Sequence, residues 1–385
     1  MVSLDMVNNP TTSATDIDNT SCFSEDMNFI LEDEIEARRW LWGSTDALIF
    51  KVVLPCIVST CVLGNVAFLF TVIRLPRMNT ITNLYLCHLA IADIFFVVFS
   101  AGSYTWVYSH SLISSDSPLE SSIECYMIMF PVVLCYFASV EIVTLVSMER
   151  YYAICKPMKH RVIEGKSRSR KFLGCTWLLA AILSGICTPR FGSFKKGCLF
   201  WPDMEEFKHL SSSFQDCFKV SSEWFVLSET IQMLAFIIAF IASVFSYVNI
   251  IRALNDRDID GDTKQELSAQ NKSIRNQVAR MLVINGAIFF VCQTPFRFVA
   301  VNSILQERQG AIVLNKDPLG SLLTVIGRAL LFLNSSINPY LYALSSSFYR
   351  TAFREALCGK SRALTGASTL TSTAAQSTEI SKSNV

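Results

Sequence analysis

A chain of 385 residues that is 51% hydrophobic and only 17% charged, with a mean hydropathy of +0.38, is too apolar for an ordinary soluble protein. Its net charge of +1 is no basis for nucleic-acid binding, and no nucleic-acid partner is expected. The apolar residues are bunched into blocks rather than spread as amphipathic stripes, which points to a membrane.

Residues 1–46 come first and hold ten acidic residues against Arg38 and Arg39; they read as an acidic tail. The opening MVSLDMVNNP lacks the apolar core of a cleavable signal, so the first apolar segment is expected to direct insertion. Seven segments follow, at 47–74, 81–108, 125–153, 171–190, 223–252, 277–304 and 320–344. Each is long enough to cross a bilayer, which takes about 20 apolar residues. Stretches such as MLAFIIAFIASVF are apolar all round, unlike the helices of a soluble enzyme. The expected fold is an all-α membrane protein, a seven-transmembrane helix bundle over 47–344. An amphipathic helix 8 follows at 345–358, then a disordered tail at 359–385 rich in Ser, Thr and Ala.

Lys and Arg cluster after the first, third and fifth segments: Arg74 and Arg77; Lys156, Lys159, Arg161, Lys166, Arg168, Arg170 and Lys171; Arg252, Arg257 and Lys264. Arg350 and Arg354 follow the seventh. Basic loops stay cytoplasmic, so the N-terminus is expected outside and the C-terminus inside. Asn19, in NTS, is then a glycan acceptor. Four of the thirteen cysteines lie in outward segments, Cys22, Cys125, Cys198 and Cys217, where three disulfide pairings are open.

Polar residues inside apolar helices are costly unless they face a cavity or one another. Asn65, Asp93, Ser139, Asn334, Ser335 and Asn338 are such residues. Asn334 and Asn338 are four apart and share a helix face. One carboxylate among hydroxyl and amide oxygens suits a small hard cation and water; unrelated helix–helix hydrogen bonds are the plainer alternative. Among the four histidines only His88 lies in a helix core, with no catalytic partner set, so no enzyme is expected.

In order, GN in the first segment, LAIAD in the second, ERY (Glu149, Arg150, Tyr151) ending the third, Trp177 in the fourth and NPYLY in the seventh resemble the rhodopsin-like G-protein-coupled receptors. Cys125 lies 25 residues before Arg150, and Phe348 follows Tyr342, both at that family's spacing. The resemblance covers about residues 47–358 and implies roles at matching positions. Asp93, Ser139, Asn334 and Asn338 match its sodium and water pocket. Arg150, held by Glu149, matches the arginine that meets a heterotrimeric G protein, and Tyr247 and Tyr342 match the tyrosines that swing toward it. Pro295 and Pro339 match its helix kinks, where a backbone hydrogen bond is missing. The same resemblance implies a loop disulfide from Cys125, to Cys198 by preference and to Cys217 as the rival, with Cys22 taking whichever is left.

Three positions depart from the pattern: Gln293 replaces the usual sixth-helix tryptophan, Ala239 the fifth-helix proline, and Arg275 an acid at the base of helix 6. An opsin would need a lysine in helix 7, and none lies between Lys316 and Lys360; an amine receptor would need an acid at Val132. The acidic N-terminus, the long loop at 191–222 and the intramembrane charges Glu229, Arg297 and Arg328 favour an extracellular peptide, with Gln293 beside them. The wording of MNTITNLYLCHLAIAD and TPRFGSF resembles invertebrate neuropeptide receptors of the FMRFamide and thyrotropin-releasing-hormone-like groups. A lipid or other small ligand of the same fold is the alternative, and an ion-conducting or transporting protein the remote one. Inside the cell, helix 8 is expected to lie on membrane lipid, Cys358 to be palmitoylated, and tail hydroxyls such as Ser368 and Thr371 to be phosphorylated by a receptor kinase for arrestin.

Overall fold

The computed structural model describes residues 27–163, 165–259, 266–309 and 318–359. Asn19, Cys22 and the tail beyond Gly359 lie outside the described residues, as does the Arg275 side chain. Seven long helices carry the fold. They are α3 (Leu54–Arg74), α4 (Ile81–His110), α5 (Ser122–Cys155), α7 (Lys166–Cys187), α8 (Ser222–Ile259), α9 (Glu266–Gln309) and α10 (Pro318–Ser345). Shorter elements frame them: α1 (Glu34–Arg39), α2 (Ser44–Leu48), α6 (Pro157–Ile163) and α11 (Ser347–Cys358). Six helices among the described residues are long and apolar enough to cross a membrane, and α10 adds a seventh of 28 residues.

Local chemistry explains the boundaries. Pro55 opens α3, where a missing N–H costs nothing. The hydroxyls of Thr80 and Ser121 accept from the N–H groups of Asn83 and Glu124, capping α4 and α5. Within the apolar helices Thr71, Thr105, Thr144, Ser147 and Thr294 donate to the carbonyl four residues back, so their hydroxyls need no water. Leu234, Ile238, Ile241 and Phe245 leave one side of α8 exposed and apolar, as a lipid-facing surface should be.

One end of the bundle carries a three-stranded sheet. Strand β2 (Ser193–Phe200) pairs antiparallel with β3 (Ser213–Phe218) and parallel with β1 (Asn28–Ile30). Part of the acidic segment, expected as a tail, is therefore folded. Leu31, Ala37 and Trp40 bury against Leu199, Phe207, Phe214 and Ile113, and Arg38 holds Glu206 through two hydrogen bonds of 2.8 and 3.0 Å. Leu41 bridges Ile113, and the Trp42 indole donates to the Ser111 carbonyl. These apolar side chains form one small core shared with residues from β2, β3 and the loops around them.

Candidate functional site

At the sheet end, α7 runs into the short turn Thr188–Phe191, which sends Arg190 inward. Its guanidinium is ion-paired with Glu229 on α8 and lies 4.3 Å from the Phe191 ring centroid and 5.3 Å from that of Phe225. Arg297 on α9 is 4% exposed and sits over the Tyr136 ring at 4.4 Å. Arg297 and Glu229 both interact electrostatically with Tyr136, and Arg190 with both charges, so the three form one cluster. Gln293, one turn before Arg297 on α9, is also buried. Arg328 is elsewhere, over Tyr104 of α4 at 5.2 Å. Arg190 and Tyr136 escape a reading by hydropathy. Arg190 follows an apolar run where an arginine looks like a loop residue, and Tyr136 looks like core.

Midway along the bundle, Asn338 donates from Nδ2 to Asp93 Oδ2 at 2.7 Å, both fully buried. Ser335 also hydrogen-bonds Asp93. Asn65 ties α3 to α10 by donating to the Ser335 carbonyl at 3.1 Å. Cys135 on α5 interacts with the Asp93 charge, and Ser139, buried one turn further, shares its helix face. Asn334 is buried on α10. Ser335 and Asn338 are thus the α10 side chains that hold the carboxylate. Among the described residues no group of three or more His, Cys, Asp or Glu side chains could hold a metal ion.

At the other end Arg150 Nε donates to Glu149 Oε2 at 2.7 Å, and His160 of α6 approaches the second carboxylate oxygen at 3.4 Å. Among the described residues Tyr247 makes no hydrogen bond to Arg150. Its hydroxyl is 2.6 Å from the Ser147 hydroxyl, in a notch that exists because residue 286 is glycine; a Cβ there would overlap the phenol. Tyr342 packs between Phe68 and Tyr349 at 5.3 and 5.6 Å. Tyr349 is the more buried of the aromatic pair opening α11 and donates to Asn83 Oδ1 at 2.5 Å. Ser347 donates to Gln277, tying α11 to α9. Pro295 and Pro339 lie inside α9 and α10.

The disulfide preference for Cys198 is corrected: Cys125 is bonded to Cys217. The hairpin register explains it. Cys217 pairs with Phe194, whose N–H donates to Ser122 in the first turn of α5, beside Cys125. Cys198 sits four residues along β2, opposite Ser213, and is itself in another disulfide.

Residues 64–342 match the profile described as 7 transmembrane receptor (rhodopsin family). The chain belongs to that family. The receptor is similar to the thyrotropin-releasing hormone receptor of Gallus gallus, 26% identical over 338 residues, covering 77% of this chain and 75% of the relative. It is similar to the allatostatin-A receptor of Bombyx mori, 25% identical over 309 residues, with 76% and 75% covered. The neuromedin-U receptor 2 of Mus musculus is 26% identical over 352 residues, with 88% and 83% covered. The chain is a multi-pass membrane receptor rather than an enzyme.

Proposed function

We propose that the receptor lies in the plasma membrane with its N-terminus and sheet outside, is activated by an extracellular peptide, and acts on a heterotrimeric G protein at the Arg150 end. The observation that carries this reading is the Arg190–Glu229–Arg297 cluster beneath the sheet. Buried charges of this kind mark functional sites inside membranes. Relatives named for peptide ligands, thyrotropin-releasing hormone, allatostatin-A and neuromedin-U, support the ligand class. The acidic and basic asymmetry supports the orientation.

The two ends are joined by elements that can pivot. Pro339 adjoins Asn338 at the Asp93 contact, and Pro295 lies between Gln293 and Arg297. A ligand drawing on Arg297 would bias α9, whose inner part bears Gly286 and the Tyr247 notch. The contacts of Tyr247 with Ser147 and of Tyr342 with Phe68 and Tyr349 support a resting arrangement in which Glu149 keeps the arginine. Sodium fits the middle layer: the Asp93 carboxylate with the hydroxyls of Ser139 and Ser335 and the amide oxygens of Asn334 and Asn338 is an all-oxygen donor set. Glycosylation at Asn19, palmitoylation at Cys358, and kinase and arrestin action on the tail complete the proposal.

The test is expression with calcium, cyclic-AMP and arrestin readouts against libraries of peptides, amines and lipids. Peptides should activate. Asp93→Asn should alter sodium sensitivity and signalling without moving ions across the membrane. Activation by lipids alone would remove the peptide reading, and an ion flux abolished by Asp93→Asn would replace the receptor reading with a transporter.

A further inference from the structure

We propose that the ligand anchors to this receptor through a carboxylate seated on Arg297. The inference rests on the peptide-receptor reading above and names the chemistry its site selects. Three charged side chains lie together: Glu229 and Arg297 are buried, and the Arg190 side chain is 12% exposed. The ion pair joins Arg190 to Glu229, which leaves Arg297 as the unbalanced charge.

Among the described residues, Arg297 is held by ring faces only. Its guanidinium carbon is 4.4 Å from the Tyr136 centroid and 5.3 Å from that of Phe296. A ring face attracts the cation but gives its in-plane N–H groups no acceptor. The Tyr136 hydroxyl donates to the Gln232 carbonyl at 3.2 Å, and neither Nε nor Nη1 of Arg297 donates to it. Nε and Nη1 of Arg297 are buried without a hydrogen-bond partner. Two acceptors nearby are in the same condition: Gln293 Oε1 and Glu229 Oε2. Buried guanidinium groups left this way are costly, and such a cost persists where a ligand repays it.

Three ligand groups can be compared against this inventory. An ammonium would face two arginines against one glutamate. A carboxamide would satisfy the hydrogen bonds, with its oxygen toward Arg297 and its N–H groups toward Gln293, but would leave one net positive charge buried. A carboxylate flanked by a peptide N–H satisfies both: oxygens to Arg297, N–H to Gln293 Oε1 or Glu229 Oε2, and the charge cancelled. The carboxylate could be the C-terminus of a peptide or an Asp or Glu side chain within it.

Two measurements test this. The first needs no ligand and decides by itself. The full-length receptor in nanodiscs is melted as wild type and as Arg297→Met. An arginine kept for a ligand predicts that the Met variant melts at the same or a higher temperature. A fall of several degrees would make Arg297 a structural residue and overturn the proposal. The second uses a library of peptides, each made as a C-terminal acid and a C-terminal amide, with Asp→Asn and Glu→Gln versions. Active members should lose potency by about tenfold to a hundredfold on amidation if the C-terminus is the source, or on side-chain neutralisation if an acidic residue is. Arg297→Met should erase that difference. Peptides that activate regardless of both changes would refute the carboxylate and leave the peptide reading intact. Activation only by carboxylate lipids would keep the anion and sink the peptide reading; activation only by neutral lipids would sink both.

Discussion

Glu229→Gln keeps the volume of a buried side chain and deletes its charge, which leaves Arg190 unpaired between Phe191 and Phe225. The Arg190 side chain is 12% exposed and that of Glu229 3% exposed, so water cannot replace the missing partner. Breaking a pair this deep costs about 3–5 kcal/mol. At roughly 2 °C per kcal/mol for a chain of this size, the melting temperature should fall by about 6–10 °C. A thiol-reactive dye measures this directly, because Cys61, Cys135, Cys187 and Cys292 are buried free thiols that react only on unfolding. Replacing both charges, Arg190→Met with Glu229→Leu, should restore most of the loss, since an apolar pair often substitutes for a buried ion pair at little cost. If Glu229→Gln melts like wild type, or the double variant falls as far as the single one, the two side chains are not coupled as the geometry implies.

Two further outcomes are expected. Gly286→Ala should push Tyr247 off Ser147 and raise basal G-protein signalling by about fivefold, the value of one hydrogen bond; basal signalling equal to wild type would show that the notch does not hold the resting state. At the sheet, burial pushes the Asp216 carboxyl up to about 6, helped by Asp116 and opposed by the hydrogen bond from the Cys217 N–H. Its ordinary value is near 4, so the folded state holds the proton more tightly than the unfolded one. Stability from this group is therefore full below pH 4, falls between pH 4 and 6, and is flat above. Melting temperature measured from pH 4 to 7 should show that decline, and Asp216→Asn should remove it.

The helices and the interior polar residues were legible in the sequence for a physical reason. A membrane demands long apolar runs, so Asp93, Asn338 and Pro339 stand out against their neighbours. Signals that depend on distant pairing were not legible. The segment from Asn28 to Trp42 buries Leu31, Ala37 and Trp40, but acidic neighbours mask that pattern until β2 supplies a partner strand. The choice of Cys217 over Cys198 turns on hairpin register, which places Cys217 beside α5 and which spacing along the chain does not encode. Arg190 is visible only once the turn after α7 aims it at Glu229. Among the charges expected together, Arg328 is the exception, because its place on α10 puts it over Tyr104 of α4.

Guanine-nucleotide exchange on a purified heterotrimeric G protein, driven by an activating peptide through the receptor in nanodiscs, tests the central claim most directly when wild type and Arg150→Ala are compared. The account predicts that Arg150→Ala still binds the peptide at the sheet end but loses most of the exchange, because the proposed function has Arg150, released from Glu149, meet the G protein. Undiminished exchange by Arg150→Ala would contradict it.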